Sequence, residues 1–177
     1  ERLADILGMQ RYLATVSTAC SSSANALLFG ARLIKTGLTD CVICGGAEAL
    51  AKITINGFNA LMILDREHCK PFDQNRCGLN LGEGAAYLVL EAEESLKRSR
   101  KKAIAELTGY ANFNDAFHQT ASSPEGAGAL KAMRKALNMA GIDPSDIDYI
   151  NAHGTGTENN DLSEGLALET LFGVNVP

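Results

Sequence analysis

The sequence contains no tryptophan, and its aromatic residues reach only 6% of 177 positions. A core built from it must rely on alanine, leucine and glycine. That composition suits helices lying close on strands and tight strand-to-helix turns. No run of 18 or more apolar residues occurs, so no membrane-spanning helix is expected and membrane insertion is excluded as a function. The N-terminus lacks a basic-then-apolar leader pattern, which leaves secretion unsupported and the cytoplasm as the expected compartment. There is no excess of positive charge: 16 Lys and Arg against 21 Asp and Glu give a net charge of −5, which argues against a nucleic-acid partner.

Paired metal-ligand motifs are missing as well. The five cysteines are Cys20, Cys41, Cys44, Cys69 and Cys77. Their odd number favours reduced thiols. Cys41-Val42-Ile43-Cys44 is a lone CxxC without a second ligand pair at suitable spacing, so no metal site is expected. It reads as a buried strand carrying two small apolar thiols. A phosphate-binding GxxxxGK[ST] loop is absent, and Gly82-Glu83-Gly84 reads as a turn. The only basic cluster, Lys97, Arg98, Arg100, Lys101 and Lys102, reads as a solvated helix end, with a docking point for an acidic partner as the alternative.

What is present is an apolar content of 46%, enough for one ordinary domain, in an alternating pattern. Residues 12–19 read as a strand entering a turn at Cys20. Ala24, Leu27, Leu28, Ala31 and Ile34 recur at intervals of three and four, which predicts a helix that Gly37 stops. Asp40 to Cys44 reads as a strand ending at Gly45-Gly46, and 47–64 as helical pieces. Residues 65–84 read as mainly loop, 85–91 as a strongly buried strand, and the charged stretch up to Arg100 as a short helix. A strand region over 103–113 and a polar loop over 114–125 follow. Leu130, Met133, Leu137 and Ala140 mark a helix ended by Gly141. A strand over 147–152, a Gly/Thr-rich loop opening at His153, and a helix from Asn160-Asp161 to Phe172-Gly173 complete the chain. Strands alternating with helices predict an α/β fold with crossover connections.

Two residues stand where chemistry collects. Cys20 lies at a strand-to-helix turn, where first-turn N–H groups stabilise negative charge on the sulfur and can donate to an acyl oxyanion. A buried structural cysteine is the competing reading. His153 follows a strand directly, in the position where open α/β sheets place their sites. Gly154 and Gly156 permit close backbone approach, and Thr155 and Thr157 offer hydroxyls to an amide-rich ligand. A Cys/His pair suggests acyl transfer through a thiolate. The local signature of papain-like proteases around the cysteine is absent. His68 reads as a surface residue, and His118 as either structural or entrance-lining.

Six segments together resemble the β-ketoacyl synthase family. They are Ser17-Thr18-Ala19-Cys20-Ser21-Ser22-Ser23, Gly45-Gly46-Ala47-Glu48-Ala49, Pro71-Phe72-Asp73-Gln74-Asn75-Arg76-Cys77-Gly78, Gly82-Glu83-Gly84-Ala85, Leu88-Val89-Leu90-Glu91 and Asn151-Ala152-His153-Gly154-Thr155-Gly156-Thr157. Asp161 and Glu164 fit the acidic positions that follow. The order and spacing match those of the family, and the subtype resembles its elongating enzymes, those of type II fatty-acid or polyketide-like systems.

The resemblance implies a thiolase-like layered α/β fold (αβαβα), here incomplete. Residues 1–100 would be the C-terminal part of the first half and 101–177 the N-terminal part of the second. It implies a decarboxylative Claisen condensation. Cys20 would carry the acyl chain, and His153 would stabilise the enolate of malonyl-acyl-carrier protein. Thr155 and Thr157 would contact phosphopantetheine, which arrives on the carrier protein, so that no resident cofactor is needed. The loop with Asp115, His118 and Thr120 would border the entrance. It further implies acyl carrier protein as partner, a homodimer, and a second histidine, a lysine and a gating phenylalanine beyond Pro177. The chain is therefore expected to be a fragment, unable to complete condensation alone. The alternative is a non-catalytic partner of the chain-length-factor kind, which the presence of Cys20 disfavours. Thiolases, a further acyltransferase class, fit the His153 loop and the segment at Pro71 less well.

Overall fold

The computed structural model describes residues 2–9, 11–174 and 176–177. The elements are α1 (Arg2–Ile6), α2 (Ser22–Lys35), β1 (Cys41–Glu48), α3 (Lys52–Ala60), β2 (Gly84–Glu91), α4 (Glu93–Ser99), α5 (Ala127–Ala140), a single 3-10 turn (Pro144–Asp146) and α6 (Glu158–Phe172). They fall into two compact units that interleave along the chain. One comprises the residues up to Ala47 with Ala85–Ile104, the other Glu48–Gly84 with Ala105–Pro177.

In the first unit, α2 ends where the sequence predicts. Gly37 adopts φ +72°, its N–H donates to the Ile34 carbonyl, and the Leu38 N–H reaches back to Leu33. A residue with a side chain resists that left-handed turn, which is why glycine terminates helices here. β1 and β2 form a two-stranded sheet. Asp40 accepts from the Ala92 N–H at 2.8 Å, whereas Gly45 lies against Ala86 and Tyr87. Partner numbers fall as β1 advances, so the ladder is antiparallel and not the parallel crossover that alternation suggests. The approach is close: a side-chain carbon on Gly45 would collide with the Ala86 carbonyl, and one on Gly30 of α2 with the Cys44 sulfur. Small residues thus set the helix-to-sheet distance.

In the second unit, α5 runs between two left-handed glycines, Gly126 (φ +64°) and Gly141 (φ +71°). Gly126 passes against Ser163 and Ala167 of α6, with no room for a side chain. Ala167 and Leu168 are the buried apolar residues of this helix, as Cys44 is of β1. α6 begins at Glu158, two residues before the predicted Asn160-Asp161, because Thr157 takes the N-cap position with extended backbone.

Several expectations are corrected. Residues 12–19, 103–113 and 147–152 form no strand. Their apolar patterns favour extended chain, but a strand exists only where a neighbour supplies a ladder, and none is found among the described residues. β2 is not buried: Tyr87, Leu88 and Val89 are 49%, 56% and 62% exposed. Its pairing with β1 satisfies one edge of its backbone without covering a face. Of the two thiols in β1, Cys44 is buried and Cys41 is exposed. No helix is long and apolar enough to cross a membrane among the described residues.

The basic stretch is a solvated helix end, and three of its five charges are paired. Lys97 meets Glu93 and Glu94, Arg98 meets Asp40, and Lys101 meets Glu91. Ser95 and then Lys101 hold the Glu91 carboxyl below its ordinary range. His68 is exposed, as expected.

Candidate active site

Cys20 occupies a turn that the neighbouring residues force into shape. Ala19 has φ +52°, a left-handed conformation that costs a non-glycine residue about 1 kcal/mol. A set of short hydrogen bonds holds it there. The Thr18 N–H donates to Ser22 Oγ at 2.8 Å, and Ser22 Oγ donates to the Ala19 carbonyl at 2.7 Å. Ser21 Oγ donates to the Thr18 carbonyl at 2.7 Å, and Asn25 Nδ2 to Thr18 Oγ1 at 2.8 Å. The serines after Cys20 therefore latch the turn. α2 starts at Ser22, which leaves the thiol exposed beside the positive end of the helix dipole. Behind the turn, Gly46 at the far end of β1 lies so close to Ser23 that a side-chain carbon there would strike Ser23 Oγ.

His153, Thr155 and Thr157 lie together on one loop of the second unit, and α6 fixes that loop through two carboxylates one turn apart. Glu164 Oε1 accepts the His153 N–H at 2.7 Å, and Oε2 the Gly154 N–H at 2.9 Å. Asp161 is only 3% exposed. Its Oδ1 accepts the Gly156 N–H at 3.2 Å and its Oδ2 the Phe72 N–H at 2.7 Å. Asn160 Nδ2 donates to both carboxylates, at 3.2 and 3.4 Å.

The loop's glycines are required by geometry. Gly154 (φ +50°) sits under the Phe72 ring and Pro71, and Gly156 (φ +72°) leaves no room for a side chain beside the Gly78 carbonyl. Thr155 Oγ1 and Thr157 Oγ1 are 2.8 Å apart, half-buried, and form a ready pair of hydroxyls. His153 itself is exposed.

The polar loop is anchored at its base to α6. Ser163 Oγ donates to the Ser123 carbonyl at 2.9 Å, and the Ser122 N–H donates to Asn159 Oδ1 at 3.2 Å. Asp115 folds the loop on itself by accepting the Ser123 N–H at 2.9 Å and the Phe117 N–H at 3.2 Å. These donors, Ser123 first, hold its carboxyl below the ordinary aspartate range. The Thr120 N–H donates to His118 Nδ1 at 3.2 Å, and both side chains are exposed.

The structure thus gathers His153, Thr155, Thr157, Asp161 and Glu164, and ties the loop of Asp115, His118 and Thr120 to the same helix. Cys20 belongs to the other unit. Sequence reasoning placed Asp161 and Glu164 as acidic positions without a task. It missed Arg76, Phe72 and Asn160 as members of the network. The only available signal was their place in the PFDxxRxG segment and beside Asp161.

Comparison with known proteins identifies the family of the chain. The family model described as the β-ketoacyl synthase N-terminal domain matches residues 2–96, and the one described as the β-ketoacyl synthase C-terminal domain matches 104–176. The chain is 40% identical over 162 residues to 3-oxoacyl-[acyl-carrier-protein] synthase 2 of Staphylococcus aureus, covering 88% of this chain and 40% of that protein. The enzyme of the same name from Rhizobium meliloti is 41% identical over 167 residues, covering 90% and 39%.

Among solved structures, a ketosynthase in complex with its chain length factor from Xenorhabdus doucetiae superposes with a TM-score of 0.91 at 43% identity, over 99% of this chain and 42% of that one. A type II polyketide acyl carrier protein in complex with its ketosynthase, bound to the hexaketide, gives a TM-score of 0.90 at 32% identity, over 98% and 44%. Their ketosynthase architecture is the thiolase-like fold. The chain spans about two fifths of the length of the curated relatives it matches. With one model matching more than half of its residues and the other most of the remainder, the chain belongs to the β-ketoacyl synthase family.

Proposed function

We propose that this chain carries the acyl-accepting cysteine and one catalytic histidine of an elongating β-ketoacyl-acyl-carrier-protein synthase. The Cys20 thiolate attacks the thioester carbonyl of an acyl carrier protein. The acyl–sulfur bond to the carrier breaks, and the carrier's phosphopantetheine thiol leaves with a proton. Malonyl-carrier protein then loses CO2, and the electron pair of the broken bond forms a thioester enolate. His153 donates a hydrogen bond to the enolate oxygen. The carbanion attacks the Cys20 thioester, and the thiolate departs, leaving a β-ketoacyl carrier.

Thr155 and Thr157 bind the amides of phosphopantetheine, and Asp115, His118 and Thr120 border its entrance. The carrier supplies the only prosthetic group. The reading includes assembly with a second thiolase-fold chain, in the first instance a copy of this one, in the cytoplasm.

The observation that carries this reading is the turn at Cys20, strained at Ala19 and latched by Ser21, Ser22 and Asn25 at the start of α2. A merely structural cysteine has no need of that geometry, whereas an exposed nucleophile beside an oxyanion-binding helix end does. A chain-length-factor role is the second reading, favoured by the ketosynthase/chain length factor pairs among the similar structures.

Mass spectrometry of the synthase that carries this chain, incubated with acyl-carrier protein and then malonyl-carrier protein, separates the two. A catalytic chain gains an acyl mass on the Cys20 peptide, loses it in Cys20→Ala, and retains it in His153→Ala while decarboxylation of malonyl-carrier fails. Absence of acyl mass on Cys20 in the unaltered protein rejects the catalytic reading. Mass measurement of the native complex shows whether its partner is a copy of itself or a different chain.

A further inference from the structure

Arg76 reaches the end of the His153 loop at Thr157, and the chemistry above gives its charge no task. Its side chain is 18% exposed. Three of its donors go to backbone oxygens: Nη1 to Asp73 at 2.9 Å, Nη2 to Glu158 at 3.0 Å, and Nε to Thr157 at 3.3 Å. Nε also lies 3.9 Å from Asp161 Oδ2.

This arrangement does not serve the helix it touches. Thr157 and Glu158 open α6, where the helix dipole is positive and a cation is unfavourable. The Thr157 carbonyl already accepts the Asp161 N–H at 3.2 Å. Arg76 therefore fills no vacancy at the helix start, and the buried Asp161 carboxylate nearby offsets its charge there. What the guanidinium does achieve is geometric. Its rigid fork grips two successive carbonyls and so fixes the peptide between Thr157 and Glu158.

Asp161 closes the same frame from the other side, holding Phe72 of the Arg76 loop and Gly156 of the His153 loop. The residue so clamped is Thr157, whose hydroxyl is paired with that of Thr155.

We propose that Arg76 is a positioning residue for the Thr155–Thr157 hydroxyl pair, and through it for the pantetheine arm of the substrate. It touches neither substrate nor reacting atoms. This inference rests on the proposed function for the identity of the ligand, but not for the clamp itself.

The test uses the synthase that carries this chain, expressed at the full length of its reading frame, with Arg76→Ala and Arg76→Lys. KM and kcat are measured with malonyl-pantetheine, together with hydrogen exchange at the Gly156 and Thr157 amides and alkylation of Cys20 by iodoacetamide. In Arg76→Ala, KM rises about tenfold or more, amide exchange quickens, and Cys20 alkylation is unchanged. Arg76→Lys recovers only part of the loss, because an ammonium cannot span two carbonyls. Added guanidinium ion restores Arg76→Ala.

An unchanged KM, or a loss that guanidinium does not restore, overturns the proposal. If the unaltered protein does not turn over malonyl-pantetheine, the functional reading fails. The exchange data then decide the clamp alone: faster exchange at Gly156 and Thr157 supports it, and unchanged exchange overturns it.

Discussion

Glu164 holds His153 by its backbone: one carboxylate oxygen accepts the His153 N–H at 2.7 Å and the other the Gly154 N–H at 2.9 Å. The histidine's place is thus set from α6, eleven residues later in the chain, while the residue itself stays exposed. Charge-assisted bonds of this kind are the stronger class. Glu164→Gln keeps one acceptor but turns an NH2 group toward the other N–H. A loss of about 2 kcal/mol in unfolding free energy is expected, with faster hydrogen exchange at His153. Equal stability and exchange in Glu164→Gln and the unaltered protein would show that the two bonds do not hold the loop.

Ser23 and Gly46 meet too closely for Gly46 to carry a side chain. Gly46→Ala is therefore expected to destabilise by about 1–3 kcal/mol through overpacking. Ser23→Ala alone changes stability little, and combined with Gly46→Ala it restores most of the loss, since the remaining contact to the Ser23 Cβ at 3.4 Å is ordinary. A double-mutant cycle by denaturant unfolding reads this directly. Strict additivity would contradict the contact.

The loop over Asp115 carries a pH dependence of definite sign. N–H donation from Ser123, then from Phe117, lowers the folded-state pKa of Asp115 below its unfolded value. Its contribution is fully present above the unfolded pKa and is lost as pH falls through the folded one. The Ser123 amide is therefore expected to stay protected at neutral and mildly acidic pH and to open only below the ordinary aspartate range. Asp115→Asn should remove that dependence. Opening of the loop between pH 5 and 7 on NMR titration would contradict it, the ordinary aspartate value being about 3.9.

Cys44 offers a contrast with Cys20. Burial pushes its thiol above the ordinary range, although a backbone interaction at Gly30 offsets part of this. Only the thiolate alkylates, so Cys44 is doubly protected, by pKa and by access. Treatment with iodoacetamide at neutral pH, followed by peptide mass mapping, should label Cys20, Cys41 and Cys77 first. Cys44 should react only on unfolding or at strongly alkaline pH. Labelling of Cys44 at the rate of Cys41 would refute its buried placement.

The sequence alone determined what is local. The intervals of Ala24, Leu27, Leu28, Ala31 and Ile34 produce α2, and Gly37 ends it. Leu130, Met133, Leu137 and Ala140 do the same for α5, with Gly141. The turn at Cys20 and the loop at His153 were legible because glycines and small hydroxyl residues leave few other conformations.

Tertiary structure decided whatever needs a partner from elsewhere. Residues 12–19, 103–113 and 147–152 have strand-like composition and form no strand, since a ladder requires a neighbour across space. β2 has the pattern of a buried strand and is exposed, since burial belongs to whatever covers a face. Arg76 reaches Thr157 and Glu158 across 81 and 82 positions of sequence, and Phe72 reaches Asp161 across 89. No periodicity encodes such distances. Chain folding brings those residues together, and hydrogen bonds around the buried Asp161 carboxylate and the half-buried Arg76 then fix them.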